Sequence, residues 1–194
     1  GLVLRGCARQ EPLARLVLHS DAFWRFFEYI ELPEFDVASD AFATFRELLT
    51  THKKLVAAFL DEHYERFVAA YERSLHSDNY ATRRQLLSLL GDILVDRANF
   101  AVMTRYISSP QNLMVMMNML NDEHKHIQYE AFHVFKVFVA NPKKTADVKQ
   151  ILVLNRDALV DFLRAFRADV EDDPFNDEKE FLIAQIEKLS TSKD

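Results

Sequence analysis

Only 3 glycines, 5 prolines and 1 cysteine occur among the 194 residues of this chain. Phosphate-cradling loops, Rossmann units and turn-rich β-sandwiches need glycine where the backbone bends sharply, so its scarcity argues against all three. Cys7 is the lone cysteine and leaves no internal disulfide to form. That usage fits a reducing compartment, and a cytoplasmic protein is expected. No run of 18 apolar residues is present, so insertion of a helix across a membrane is not expected. The first residues also lack a basic-then-apolar signal region. With 24 Lys and Arg against 30 Asp and Glu, the net charge is −6, and nucleic acid is not an expected partner.

Apolar residues are abundant instead. They make up 49% of the chain and include 16 phenylalanines, enough to fill a large core and to exclude disorder over most of its length. They are also written in a repeating frame. "DAFATFRELLTTHKK" at 40–54, "QLLSLLGDILVDRAN" at 85–99 and "EAFHVFKVFVANPKK" at 130–144 stand 45 residues apart. In that register Ala41, Leu86 and Ala131 align, then Phe42, Leu87 and Phe132, then Phe45, Leu90 and Phe135. Leu48, Ile93 and Phe138 follow, then Leu49, Leu94 and Val139. Any amphipathic helix carries such a stripe, so the equal spacing is the stronger signal. A period near 45 residues belongs to HEAT and armadillo arrays. The expected fold is all-α: an armadillo/HEAT-like α-solenoid of three-helix repeats.

The pattern predicts helices near 2–9, 12–19, 21–31, 36–51, 53–60, 62–75, 79–95, 97–107, 110–121, 124–140, 145–153, 156–167 and 176–189. The prolines fall at their junctions, and Ser109-Pro110 reads as an N-cap followed by the first helical residue. Residues 1–190 form a single solenoid domain in this reading, and 191–194 a frayed tail. "GLVLRGCARQ" opens without a cap, with Val3-Leu4 in the columns of Leu48-Leu49. It reads as the tail of a helix, and hence as a fragment lacking earlier repeats.

Opposite the core stripe, each long helix offers four positions on one side. They are Ser39, Ala43, Arg46 and Thr50, then Arg84, Ser88, Gly91 and Val95, then Tyr129, His133, Lys136 and Ala140. None is a carboxylate. Arg46, Arg84 and Lys136 supply cations, Tyr129 an aromatic platform, and small residues most of the rest. Solenoids use their concave faces for binding, so a groove for a partner with acidic and apolar groups is one reading, and a solvated ridge the other. Gly91, mid-helix, is tolerable if something must approach the backbone closely.

Candidate chemistry is sparse. His126 and Glu130 stand one turn apart with His124 and His133 nearby, so a metal-dependent helical enzyme is conceivable, against ordinary solvated histidines. "DVEDDPFNDEKE" at 169–180 places Asp169, Glu171, Asp173 and Glu180 at calcium-loop positions. Pro174, however, stands where that loop requires glycine. An acidic linker with Asn176 capping the last helix is the plainer reading. Cys7 has no partner for nucleophilic chemistry. No enzymatic activity, cofactor or metal is expected.

"DVASDAFATFRELL", "SDNYATRRQLLSLLGDILVDRANFAVMTRYIS", "IQYEAFHVFKVFVANPKK" and "FNDEKEFLIAQI" resemble the mouse protein 25 family, also called calcium-binding protein 39, over its C-terminal two-thirds and residues 1–190 here. The resemblance implies a non-catalytic scaffold that binds STRAD-like pseudokinases and germinal-centre-type protein kinases and holds the kinase fold in its active arrangement. It also implies two contact regions. Arg84 and Met117 match a pocket for a partner's C-terminal Trp-Glu-Phe tail, and Arg97 and Phe100 match a surface that meets the kinase body. The family tends to carry lysine where this chain has Ser88, Met114, Leu154 and Ala158, which favours a different tail. The alternative is therefore a generic helical adaptor for another acidic or apolar C-terminal peptide. By register Asp96 should cap the helix bearing Arg97 and Phe100, and Phe100 shares a column with Leu55, so packing is its competing role.

Overall fold

The computed structural model describes residues 2–167 and 173–189. Among them no strand occurs, and no helix is long and apolar enough to cross a membrane. The helices are α1 (Leu2–Ala8), α2 (Glu11–Leu18), α3 (Asp21–Trp24), α4 (Phe26–Tyr29), α5 (Phe35–Thr50), α6 (Lys53–Glu62) and α7 (Tyr64–Leu75). They continue as α8 (Tyr80–Val95), a 3-10 turn (Arg97–Asn99), α9 (Phe100–Ile107), α10 (Pro110–Leu120), α11 (Lys125–Ala140), α12 (Ala146–Leu154), α13 (Arg156–Ala165) and α14 (Asp173–Glu187).

The 45-residue frame is built as written. Helices α5, α8 and α11 each hold 16 residues and begin at Phe35, Tyr80 and Lys125. They stack side by side as the rungs of one layer, with α1 beyond α5 and α14 beyond α11. Of the fifteen aligned apolar residues, Ala41 is half-buried and the other fourteen are buried. Short helices form the rest of each repeat, α6 packing on both α2 and α9. Side chains hold the starts in place. Asn79 Oδ1 accepts from the Ala81 and Thr82 amides, Ser109 Oγ from Asn112, and Thr145 Oγ1 from Val148, each satisfying a donor that the first turn leaves without an intrahelical acceptor.

Besides the 3-10 turn that opens the expected 97–107 helix, two expected elements differ. Residues 21–31 are not one helix but two single turns hinged at Arg25. "FWRFF" is the cause: successive side chains on a straight helix fan out by 100° each, which would send part of this aromatic run into water. The irregular joint brings Phe23 to 4.8 Å from Phe59 and Phe27 to 5.2 Å from Phe45, between ring centroids. The last helix starts at Asp173 rather than 176, so Asn176 lies inside its first turns and is not its cap. Pro174 explains the shift, because the second helical position needs no amide donor. The latter part of the 169–180 window is therefore helix. Asp169 and Glu171, like the tail 191–194, lie outside the described residues.

Candidate functional site

The twelve positions opposite the core stripe share one side of the rung layer, and none is buried. Their charges are largely answered from neighbouring rungs. Arg46 on α5 pairs with Asp92 on α8. Lys136 Nζ on α11 lies 2.8 Å from each carboxylate oxygen of Glu178 on α14. Ser88 on α8 hydrogen-bonds Glu130 on α11, and Arg84 stands close enough to act on the same carboxyl. Partial burial pushes Glu130 above the ordinary carboxylate range, opposed by Arg84 and by the Ser88 hydrogen bond. His133 is held below its usual value, first by burial and then by Lys136. The Tyr129 platform is occupied as well: the His133 ring meets it edge-on at 4.5 Å, and the Arg167 guanidinium lies 4.8 Å from its centroid.

The frame extends one rung beyond the three aligned helices. A further 45-residue step from His133 and Lys136 reaches Glu178 and Phe181 on α14. Glu178 is thus the carboxylate missing from the other rungs, and Phe181 is 51% exposed. Both line a cleft of about 820 Å³ together with Phe100, Met103, Ile107 and Lys136. Its walls are mostly apolar, with the Lys136–Glu178 pair on its border.

Phe100 does not play the packing role of Leu55. It is 67% exposed, whereas Leu55 is buried. Asp96 is the reason. Its carboxylate accepts from the Ala98 amide at 2.9 Å and caps a 3-10 turn, which delays the start of α9 to Phe100. Asn99 and Val102 turn inward instead, Asn99 Nδ2 donating to the Ile93 carbonyl at 2.9 Å. Lys53 Nζ sits 2.8 Å from Asp96 and, with the Ala98 amide, holds its carboxyl below the usual range. Exposed Arg97 faces a second cleft of about 770 Å³, which also takes in Arg46, Lys53, Lys54, Asp92 and Asp96. Asp92 and Asp96 serve Arg46 and Lys53, so among the described residues Lys54 and Arg97 have no carboxylate partner. Arg97 and Phe100 therefore border two adjoining clefts, one cationic and shared with Arg46, one apolar and shared with Lys136.

The tail-pocket residues lie further along. Arg84 is exposed on α8 and Met117 half-buried on α10, with α11 packed against both helices. Met114 and Leu154, two of the four positions at which this chain departs from the pattern it resembles, are open apolar surface at 46% and 75% exposure. Ser88 is engaged with Glu130, and Ala158 is exposed. Among the described residues the histidines near Glu130 form no three-ligand cluster; His124 Nδ1 lies 2.9 Å from Asp122 Oδ1 and its ring is 4.8 Å from Tyr80.

Gly91 is not required by packing among the described residues. A Cβ there would meet only a Val134 methyl at 4.0 Å, an ordinary contact. Gly91→Ala should therefore stabilise the fold by up to about 1 kcal/mol through helix propensity, read as a raised thermal midpoint. An unchanged or lowered midpoint would show strain at this rung.

A sequence model of the Mo25-like family matches residues 1–190. The chain is similar to calcium-binding protein 39-like from Homo sapiens, with 54% identity over 97% of this chain and 56% of that protein. A Mo25-like protein of Schizosaccharomyces pombe is 52% identical over 97% of this chain and 58% of its own length. The conidiophore development protein hymA of Emericella nidulans is 52% identical over 86% of this chain and 44% of its own. The chain thus spans roughly half the length of these relatives.

Proposed function

The chain belongs to the Mo25-like family, and from that premise we propose that it is a non-catalytic scaffold that docks on STRAD-like pseudokinases and germinal-centre-type kinases and favours their active arrangement. The observation that carries this reading is Phe100, an aromatic ring held out at 67% exposure on the edge of an apolar cleft by the Asp96-capped turn. Arg97, exposed one turn earlier and without a carboxylate partner among the described residues, supplies the matching cation. Truncation of such aromatic and Arg anchors often removes a large share of interface energy. A scaffold of this kind acts by differential affinity: it stabilises whichever kinase conformation presents the complementary surface.

The second contact is a partner's C-terminal peptide, with Arg84 receiving a carboxylate and Met117 lining an apolar slot. Exposed Met114 and Leu154 favour a variation on this theme, an adaptor for a more apolar tail than Trp-Glu-Phe. Fluorescence anisotropy with labelled tail peptides tests both. Arg84→Ala and Met117→Ala should each weaken binding by roughly tenfold or more, equivalent to about 1.4 kcal/mol. A peptide with leucine in place of the glutamate should bind this chain at least as well as the Trp-Glu-Phe tail. Wild-type affinity in both variants would place the tail elsewhere.

A further inference from the structure

We propose that His19, Glu62 and His63 form a site for a divalent transition metal, of which zinc is the physiological representative, at the joint between α2, α6 and α7. Their donor atoms all lie within 4.8 Å of one another. His63 is the single residue between α6 and α7, Glu62 closes α6, and His19 caps the C-terminal end of α2. The sequence does not show the cluster, because His19 belongs to one repeat and the other two to the next.

The backbone beneath these side chains is fixed. The His19 amide donates to the Arg15 carbonyl at 3.1 Å, and the His63 amide to Phe59 at 3.0 Å. The His63 carbonyl in turn accepts from Phe67 at 2.9 Å. Fully buried Phe59 forms the floor, 5.6 Å from the His19 ring and 5.0 Å from the His63 ring, between centroids. The two imidazoles stand 5.8 Å apart by the same measure. Above them the site opens to water: His19 is exposed, and the His63 and Glu62 side chains keep 32% and 63% exposure. An ion can enter, and water can complete its coordination.

The donor set selects the ion. Two imidazole nitrogens and one carboxylate suit Zn²⁺, Cu²⁺ or Ni²⁺, whereas Ca²⁺ and Mg²⁺ require oxygen ligands. Tetrahedral zinc with bonds near 2.0–2.1 Å places ligand atoms about 3.3 Å apart. Glu62 Oε1 already lies 3.7 Å from His63 Nε2. The remaining closure is a rotation of exposed side chains over a backbone that stays in place. Bound metal would clasp one repeat to the next.

Trp24 reports on this site. It is the only tryptophan of the chain, and its ring lies 6.0 Å from that of His63. Titration of the purified 194-residue chain with Cu²⁺ should quench Trp24 emission with one-to-one saturation, and Zn²⁺ should reverse the quenching by competition. Ca²⁺ at the same concentration should not. Zn²⁺ alone should raise the thermal midpoint, since it binds the folded state in preference to the unfolded one. His19→Gln and His63→Gln should each lower Zn²⁺ affinity at least tenfold, and Glu62→Gln severalfold. Circular dichroism identifies any variant whose helices are disturbed, and exposed His19 gives a variant that leaves the core alone. Zn²⁺ affinity and midpoint shift unchanged in His19→Gln, or no competition between the two ions, would overturn the site.

Discussion

Replacing Phe135 by alanine is expected to cost about 3–5 kcal/mol of stability, the range for truncating a fully buried phenylalanine. Phe135 has 0% exposure and sits in the column of Phe45 and Leu90, at the centre of a rung with packed helices on either side. α8 lies against one flank of α11 and α14 against the other, while α10 covers its inner surface. Of the three helices packed on α11, α8 and α10 are held by side-chain caps at their starts, so collapse around a cavity there is limited. The measurement is chemical denaturation with urea, comparing midpoints at constant slope. A loss below about 1 kcal/mol would mean that the site relaxes freely, contrary to the close packing of this layer.

The second large effect is on binding. Arg97→Ala and Phe100→Ala should each reduce affinity for a germinal-centre-type kinase by on the order of 2 kcal/mol, roughly thirtyfold, with kinase stimulation falling in step. Neither should disturb the fold, because both side chains are exposed and the Asp96 cap that shapes the turn uses the backbone amide of Ala98. Stimulation assays in the full-length protein, run beside thermal melts, separate the outcomes. Undiminished stimulation by both variants would remove this surface from the account.

The rung helices were legible because a 45-residue frame repeats the same buried columns, and α5, α8 and α11 begin at the three positions that frame requires. What escaped was decided locally or across the array. Column alignment assigns Phe100 a packing role like that of Leu55, but a capped 3-10 turn slides the next helix along and turns the ring outward. No periodicity reports that slip. The break at Arg25 likewise follows from the sum of aromatic contacts around Phe45 and Phe59. The candidate face was visible as a row without carboxylates, yet Asp92 and Glu130 reach it from adjacent columns of the next rung. One longer look along the same frame finds Glu178 and Phe181, and with them the apolar cleft beside Phe100. The histidine and glutamate cluster at the α2–α6–α7 joint has no sequence signature at all, since only folding assembles it.

Three of the links that span successive rungs, Arg46–Asp92, Ser88–Glu130 and Lys136–Glu178, lie on one side of the layer, away from its apolar seam. That eccentric placement gives them leverage over bending. The seam behaves as a hinge line, and each polar link as a weak tie at a distance from it. Arg46–Asp92 is solvent-exposed, where an ion pair contributes about 1 kcal/mol or less, and the part-buried Ser88–Glu130 and Lys136–Glu178 links are single contacts, so a change of bow is expected to cost less than sliding one rung past the next, which must unseat whole phenylalanine rings. The layer is thus built like a leaf spring, expected to yield more readily in curvature than in shear, so that against a rigid partner its bow would change before the order of its layers.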